Sequence, residues 1–451
     1  MEVGELSNIY NNEDVIEIVK DVASRLKDCE RLLKYAKEDN NSVYIEGKKH
    51  SLWSDLTLSH GYPGICILFG ELSEHFSDEG WDKVAHEYMI KMNQSLAVEG
   101  IQSISLFGGA AGIGMAGFAL SQNKTRYKNF LSQMNLLIIR ALNPYIDALD
   151  QNQISMSDYD VIKGVCGIGR YLLFFKDDKC IENTLIKILR YLIDITKDIE
   201  VKEHKVPGWY ISANNQFLEV EKKSYPNGNF NCGLAHGIPG PMALLAIALI
   251  NDVEISGQRE AIKKIAEWLY KWKYSDNLGI SWPGRISFEE YINNDCVNIA
   301  TRAGWCYGTP GVLRSMWLAG EALEDSKYKN AAINALDGLF NENSEKWELF
   351  SPTFCHGYAG LLRIIQLMYE STYIERFEKY RDIVLKKVLS YYEPDSPFGF
   401  YNVDNINPLE QGEITKMNNP GMLDGITGTV LSLLSVARPV KTSWDSIFLL
   451  N

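Results

Sequence analysis

A short glycine step followed by an apolar run recurs along this chain and constrains its fold more than any other feature. Each copy reads Gly-x-x-Gly and opens a mainly apolar segment. One such motif is a weak signal because glycine is common, but copies spaced by about 50 to 70 residues indicate a repeat architecture. The seven copies begin at Gly61, Gly109, Gly164, Gly237, Gly308, Gly357 and Gly425.

The segments between the glycine steps are charged and amphipathic, as in QREAIKKIAEWLYKWK and IERFEKYRDIVLKKVLSYY. Each unit therefore predicts an apolar helix, a loop and an amphipathic helix. Helices that are apolar all round are buried, and helices with one polar face lie at the surface. Seven such hairpins, spanning residues 1–451 as a single all-α domain, would stack into either an open solenoid or a closed ring. Closure would place the apolar helices in an inner circle.

Four stretches fall outside this pattern. Apolar residues at helical spacing predict one amphipathic helix from about Asn12 to Glu38. Residues 196–232 carry alternating runs and a Pro-Asn-Gly turn signal, which predict a small β-containing extension. Residues 274–301 would add strands to it or form a loop, and residues 392–422 are rich in turn formers and predict a long surface loop.

Composition narrows the classes of function. The formal net charge is −13, which argues against nucleic acid as a partner because such proteins carry a basic surface. Eight cysteines without a Cys-x-x-Cys pair favour a reducing compartment over a disulfide scaffold. The first residues lack the apolar core of a signal peptide, and no long uncharged apolar run predicts a membrane span. We therefore expect a cytoplasmic protein.

Cys306, Cys355 and His356 are the strongest candidates for chemistry. Both cysteines stand just ahead of a glycine step, in RAGWCYGTPG and SPTFCHGYAG. Either cysteine alone would be interpreted as a small buried hydrophobic residue. Their shared position in successive repeats, one with an adjacent histidine, instead predicts a metal centre, and zinc prefers sulfur and imidazole ligands.

Four further residues are candidates near this centre. His236 precedes the glycine step of the preceding repeat, in GLAHGIPG, and would act either as a fourth ligand or as an acid/base group. Asp160 and Arg302 are each either a helix cap or a solvated charge, or they face the ring centre. There Asp160 would orient a group or exchange a proton, and Arg302 would stabilise developing negative charge. Tyr307 would either pack in the core or donate a hydrogen bond. We interpret His60 as structural, and Cys166 and Cys232 as packing residues.

At these motifs the chain resembles the lanthionine synthetase C family, the LanC-type cyclases of class I lantibiotic biosynthesis. The resemblance rests on AHGIPG, WCYGTPG and CHGYAG together with the glycine steps, and extends from about His60 to Leu434. It implies a closed α/α toroid of seven inner and seven outer helices with a small SH2-like extension. It also implies one zinc ion per chain, held by Cys306, Cys355 and His356, with water or a substrate thiol as the fourth ligand.

The resemblance implies a reaction and partners as well. A cysteine thiol of a dehydrated, ribosomally made precursor peptide would add to dehydroalanine or dehydrobutyrine and close a thioether ring. His236 and Asp160 would then be acid/base groups, with Arg302 as a supporting charge. A separate dehydratase and an export transporter would be partners, which would bring the enzyme to the membrane periphery.

Two hypotheses from other classes remain open at this stage. One is a zinc enzyme on a related toroid, such as a protein prenyltransferase-like subunit, which would need a large apolar pocket and a partner subunit. The other is a LanC-like protein that binds zinc and thiol ligands such as glutathione without closing rings.

Overall fold

The computed structural model describes residues 11–38, 41–149, 154–275, 279–296, 301–342, 344–405 and 414–451. Helices dominate these residues. The α-helices are α1 (Asn12–Arg25), α2 (Cys29–Ala36), α3 (Tyr62–His75), α4 (Trp81–Glu99), α5 (Ala110–Ala119), α6 (Lys128–Ala148), α7 (Met156–Tyr159), α8 (Val165–Leu172), α9 (Lys179–Asp194), α10 (Glu219–Ser224), α11 (Pro239–Ile250), α12 (Gln258–Lys271), α13 (Phe288–Asn293), α14 (Thr309–Ala322), α15 (Ser326–Asn341), α16 (Tyr358–Thr372), α17 (Glu375–Leu389) and α18 (Ile426–Ala437).

The apolar helices form a closed inner circle. Nearly every residue of these helices is buried, as their all-round apolar sequences predict. Each inner helix contacts the next one, and α18 contacts α3, which closes the circle. In the described part of the chain the inner helices number seven: α3, α5, α8, α11, α14, α16 and α18. The predicted closed α/α toroid is therefore confirmed.

The amphipathic helices form the outer circle. Six of them, counted over the described residues, follow an inner helix in the chain and pack on it: α4, α6, α9, α12, α15 and α17. The seventh inner helix, α18, packs instead against α1 from the beginning of the chain. The predicted order of inner helix then outer helix thus holds for six repeats, and the seventh hairpin is completed by the N-terminal helix.

The single helix predicted from Asn12 to Glu38 is wrong. The segment forms two helices, with α1 ending at Arg25 and α2 beginning at Cys29. The side chain of Asp28 accepts hydrogen bonds from the backbone N–H groups of Glu30 and Arg31, at 3.0 and 3.1 Å. Aspartate is a preferred N-cap residue, so a new helix begins here. The apolar periodicity does not reveal this break, because it continues from α1 into α2.

The second glycine of each step permits close packing between neighbouring repeats. A Cβ added at Gly112 would collide with the carbonyl oxygen of Leu106 and with the Cβ of Leu58 in the preceding repeat. In every repeat the same clash involves the carbonyl oxygen six residues earlier, with the added Cβ no more than 3.0 Å from it. The absence of a side chain therefore allows the backbone approach that the toroid requires.

Backbone hydrogen bonds link the loops that precede the inner helices. Each donor N–H belongs to one repeat and each acceptor carbonyl to a neighbouring repeat, and together they close on themselves. We call this closed chain the backbone ring, and the end of the toroid where it lies the mouth. Its bonds are Ser59–Phe107 (3.3 Å), Phe107–Ile162 (3.3 Å), Val161–Ala235 (3.0 Å), Ala235–Cys306 (3.2 Å), Cys306–Cys355 (3.1 Å), Cys355–Leu423 (2.9 Å) and Leu423–Ser59 (3.2 Å), donor first.

The last residues of the chain pack inside the toroid. A 3-10 helix, Trp444–Phe448, is completely buried, and Trp305 donates its indole N–H to the Phe448 carbonyl at 3.0 Å. Buried arginines on three inner helices bind this segment, which places it between them. The pairs are Arg170 with the Asn451 carbonyl, Arg314 with the Leu450 carbonyl and Arg363 with the Asp445 carboxylate.

The strands form short antiparallel pairs. Among the described residues they are β1 (Ser42–Ile45) with β2 (Lys48–Ser51), β3 (Asp198–Val201) with β4 (His204–Pro207), β5 (Asn229–Asn231) with β8 (Arg285–Ser287), β6 (Tyr274–Ser275) with β7 (Ile280–Ser281), and β9 (Asn402–Asn405) with β10 (Ile414–Met417). The β5–β8 pair joins segment 196–232 to segment 274–301. The SH2-like character of this extension stays a prediction.

The stretch 392–422 is not simply the long surface loop that its turn formers predict. It contains the hairpin of β9 and β10, in which Asn402 pairs with Met417 and Asn405 with Ile414. Residues 406–413 between the two strands lie outside the described residues. Both strands have only four residues, and their sequences, NVDN and ITKM, lack the alternation of apolar and polar side chains by which strands are recognised.

None of the described helices is both long enough and apolar enough to cross a bilayer.

Candidate metal centre and acid/base pair

Cys306, Cys355 and His356 come together at the mouth. The ligand atoms of these three side chains all lie within 4.8 Å of one another. The two cysteines are neighbours in the backbone ring, where the Cys306 N–H donates to the Cys355 carbonyl. Residues that are distant in sequence thus become adjacent because the repeats place the same loop position side by side.

The donor set fits a zinc ion. Two sulfur atoms and one imidazole nitrogen are the ligands that zinc prefers, and three protein ligands leave a fourth position open in catalytic sites. Cys355 is buried, whereas Cys306 and His356 are half-buried. The cluster is therefore enclosed on one side and accessible from the mouth on the other.

The same three groups shift one another's protonation. The hydrogen bond from Cys355 holds the pKa of the Cys306 thiol well below its usual value, and His356 lowers it further. That hydrogen bond, together with burial, raises the pKa of Cys355. Burial disfavours a charged His356, but hydrogen bonds with Asp404 and Cys306 outweigh burial and raise its pKa well above the usual value. The cluster thus favours a thiolate on Cys306 beside an imidazolium on His356.

Two aspartates that sequence reasoning missed flank His356. Its Nε2 donates to Asp404 Oδ2 at 2.7 Å, and its Nδ1 lies 3.6 Å from Asp424 Oδ1. Asp424 stands four residues before the second glycine of its repeat, as His356 does, so aligning the repeats would have found it. Asp404 lies on β9, outside the repeats, and no motif marks it.

His236 forms a pair with Asp160 at the mouth. Its Nδ1 donates to Asp160 Oδ2 at 2.6 Å, so Nε2 is the ring nitrogen that points away from the carboxylate. Asp160 is completely buried, and its Oδ1 accepts the backbone N–H groups of Lys163 and Gly164 at 2.6 and 2.7 Å. These N–H groups belong to the loop that opens α8, where the helix dipole favours negative charge. His236 keeps 24% of its side chain exposed, so it is the member of the pair that a substrate can reach.

Tyr307 connects the mouth to the β-containing extension. Its hydroxyl oxygen accepts hydrogen bonds from Asn231 on β5 at 2.8 Å and from Arg285 on β8 at 3.2 Å. Arg285 also forms an ion pair with Glu221 on α10. Burial is the main cause that raises the pKa of Tyr307 to about 12, so its hydroxyl keeps its proton. The Tyr307 ring lies 6.1 Å from the His236 ring, centroid to centroid.

Arg302 lies on the metal side of the mouth. Its guanidinium carbon is 4.8 Å from the centroid of the Phe350 ring. Burial alone would raise the pKa of Asp404, but the hydrogen bond from His356 and the charges of His356 and Arg302 hold it below its usual value. The charge of Arg302 therefore favours the ionised form of Asp404.

The residues interpreted as structural lie in packed surroundings. Burial lowers the pKa of His60, which disfavours its charged form. Cys166 and Cys232 are buried, and burial raises the pKa of both thiols, which keeps them protonated.

Comparisons with known proteins give the family to which the chain belongs. The sequence model of the family described as lanthionine synthetase C-like protein matches residues 52–449. The chain is 28% identical to the nisin biosynthesis protein NisC of Lactococcus lactis subsp. lactis over 408 residues, which cover 90% of this chain and 91% of NisC. A solved structure of a nisin cyclase superposes with a TM-score of 0.78 at 26% identity, covering 97% of this chain and 98% of that one. The chain therefore belongs to the lanthionine synthetase C-like family and is an enzyme of its lanthionine-forming cyclase type.

Proposed function

We propose that this enzyme is a zinc-dependent cyclase that forms lanthionine and methyllanthionine rings in a dehydrated precursor peptide. The observation that carries the proposal is the arrangement at the mouth. Three side chains that suit zinc converge within 4.8 Å, and a histidine backed by a buried carboxylate stands in the adjacent repeat.

Cys306, Cys355 and His356 would hold the metal. When bound there, zinc would supply the Lewis acidity that favours the thiolate form of a substrate cysteine near neutral pH, where a free thiol with a pKa of about 8.5 is mostly protonated.

The ring-closing step is an addition that leaves the peptide's mass unchanged. The substrate thiol loses its proton to solvent, and its sulfur forms a bond to the β-carbon of dehydroalanine or dehydrobutyrine. The carbon–carbon π bond breaks, and its electron pair moves toward the carbonyl to give an enolate. A proton delivered to the α-carbon completes the thioether.

His236 is the proposed proton donor for that last step. Its Nε2 is the ring nitrogen left available once Nδ1 has bonded to Asp160. Asp160 is completely buried and both of its oxygens are engaged, so we propose that it orients His236 rather than contacting the peptide. General acid catalysis of this kind contributes about 10²- to 10⁴-fold to a rate.

Arg302 and Tyr307 would support the charge that develops on the enolate. Arg302 is a cation at the mouth, and Tyr307 carries a hydroxyl that keeps its proton and can donate it in a hydrogen bond. The inner helices begin at the mouth as well, so their N-terminal N–H groups favour negative charge there.

We also propose the partners and the compartment that the family resemblance implies. The substrate would arrive from a separate dehydratase and leave through an export transporter, and the cyclase would work in the cytoplasm, at the membrane periphery when bound to that transporter. No disulfide bond joins the cysteines that the structure describes, which agrees with a reducing compartment.

The proposal is tested with zinc-loaded protein and a precursor peptide that has been dehydrated enzymatically. Ring closure consumes thiols at constant mass, so the expected result is loss of alkylation by a thiol reagent without any change in peptide mass. Tandem mass spectrometry should show fragmentation suppressed within each ring.

Two controls separate this function from thiol binding alone. Peptide incubated with zinc but without protein reports uncatalysed closure. Metal-free protein restored with zinc reports the dependence on metal. If zinc-loaded protein binds the peptide and leaves all thiols open to alkylation, the cyclase proposal is wrong and a thiol-binding role is favoured.

A further inference from the structure

We propose that Asp404, on the β9–β10 hairpin, is a positioning residue for the metal centre. This inference rests on the proposed function, because it concerns how His356 is presented to the zinc ion. It assigns to a segment outside the repeats the task of fixing which imidazole nitrogen binds the metal.

The geometry determines the role of each ring nitrogen. His356 Nε2 donates to Asp404 Oδ2 at 2.7 Å and is therefore not available to a metal. Nδ1 lies 3.6 Å from Asp424 Oδ1, and Asp424 in turn interacts with the Cys355 thiol. Nδ1 thus faces the side where the sulfur ligands lie, and it is the nitrogen that would bind zinc.

A carboxylate in this position strengthens a histidine ligand in two ways. It prevents the ring from rotating. It also accepts a hydrogen bond from the Nε2 proton, which makes Nδ1 a stronger electron-pair donor to the metal. Such hydrogen-bond partners of ligating histidines typically change metal affinity by about 10- to 100-fold.

The hairpin is held to the loop that carries the ligands. Ser351, five residues from His356 and buried, donates to Asn402 Oδ1 at 3.1 Å and accepts the backbone N–H of Val403 at 3.2 Å. The strand that bears Asp404 is therefore fixed to the same loop as Cys355 and His356.

A second anchor holds the other strand of the hairpin. Just beyond β10, Asn418 donates its N–H to Asn41 Oδ1 at 2.8 Å, and its carbonyl accepts from Asn41 Nδ2 at 2.6 Å. Asn41 is buried. Both ends of the hairpin are thus fixed, which suits a segment that must hold one carboxylate oxygen in place.

The test measures zinc affinity by competition with a chromophoric chelator, which does not depend on cyclase activity. Asp404→Ala should bind zinc about 10- to 100-fold more weakly than the wild-type protein. Asp404→Asn should lose less affinity, because its amide oxygen still accepts the hydrogen bond. The absorption spectrum of the cobalt-substituted protein should change in Asp404→Ala, because the histidine ligand is no longer fixed.

Thr415→Ala is the matched control, because Thr415 is the cross-strand partner of Asp404 in the hairpin. It should keep wild-type zinc affinity and the wild-type cobalt spectrum. Metal-free melting temperatures of all variants identify any loss of folding, and Asp404→Asn retains the side-chain volume if Asp404→Ala does not fold.

The outcomes are distinct. Wild-type zinc affinity and cobalt spectrum in both Asp404 variants would overturn the inference and leave the proposed function intact. Equal weakening by Thr415→Ala would also overturn it, because strand pairing rather than the carboxylate would then be responsible. A wild-type protein that binds no zinc would overturn the proposed function and this inference together.

Discussion

Two sectors of the mouth share one backbone arrangement and differ in their side chains. In the ligand sector, the loops of the fifth and sixth repeats place Cys306 and Cys355 in the backbone ring. In the opposite sector, the loops of the first and second repeats place Ser59 and Phe107 at the same positions, with the same hydrogen bonds to their neighbours. We call the latter the silent sector.

The comparison shows what the scaffold contributes and what it does not. Gly112 in the silent sector and Gly360 in the ligand sector allow the same close approach between repeats, and both would clash with the carbonyl six residues earlier if they carried a Cβ. The ring geometry is therefore common to both sectors. The chemistry depends on which side chains occupy equivalent positions, and on Asp404 of the β9–β10 hairpin, which contacts His356 in the ligand sector.

The largest expected effect comes from removing a sulfur ligand. Cys306→Ala and Cys355→Ala should each abolish tight zinc binding, because a bound zinc would keep only two protein ligands. Metal analysis of purified protein should fall from one zinc per chain to nearly none. Cys66→Ala, on α3 in the silent sector, should retain a full complement. Full zinc retention in either ligand variant would mean that the substituted cysteine is not a zinc ligand, and that metal binding does not distinguish the two sectors.

The second prediction separates catalysis from metal binding. His236→Asn should keep zinc, because His236 bonds to Asp160 and is not in the ligand cluster, but it should lower the rate of ring closure by about 10²- to 10⁴-fold. The rate is followed by thiol alkylation over time.

His60→Asn provides the matched comparison for His236→Asn. His60 occupies the equivalent position in the first repeat, four residues before the second glycine, and should be replaceable with little change in rate. Loss of zinc from His236→Asn would contradict its role as an acid and make it a ligand.

The third prediction tests whether the two sectors depend equally on the scaffold. Gly112→Ala and Gly360→Ala should each lower the free energy of unfolding by about 1–3 kcal/mol, because the new methyl group forces backbone movement. Chemical denaturation measures both. Only Gly360→Ala should also weaken zinc binding, since the clash lies at the carbonyl of Phe354, next to Cys355. Equal zinc affinity in both variants would show that the ligands adapt to backbone shifts.

The smallest expected effect concerns Tyr307. Tyr307→Phe removes the acceptor of hydrogen bonds from Asn231 and Arg285, but leaves the ligand cluster intact. The bond from Asn231 is a neutral one and contributes about 0.5–1.5 kcal/mol, and Arg285 keeps its ion pair with Glu221, so the rate should fall by about tenfold or less with unchanged zinc content. In the second repeat, within the silent sector, the equivalent position is Gly108, which has no side chain. A drop as large as that of His236→Asn would place Tyr307 directly on the reacting atoms.

The sequence predicted the toroid because its pattern is local. A glycine step precedes each inner helix in the sequence. Gly112 and Gly360 can be identified as parts of such steps without knowing what they pack against. The partner of α18 was not predictable in this way. Pairing with α1 is a contact between the two ends of the chain, and the apolar stripe on α1 gives no indication of which helix it covers. The buried segment Trp444–Phe448 was missed for the same reason.

The site was predictable where it repeats. Cys306 and Cys355 share a position relative to the glycine step, which pointed to their convergence. Asp424 obeys the same register and could have been found from it. Asp404 could not, because its contact with His356 depends on how a polar hairpin folds back across the mouth. The sequences of β9 and β10 have no periodicity that would indicate this contact.

The pairing of α1 with α18 has a consequence for how the chain folds. The two helices are separated by about 400 residues, and bringing such distant segments together is slow because loop closure precedes any stabilising contact. During synthesis α1 emerges first and waits with an uncovered apolar face until the last repeat is made. The toroid therefore cannot be completed repeat by repeat. We expect refolding to end in a slow phase in which α1 packs against α18. Val19→Ala removes part of the buried face of α1 and should make that packing less favourable.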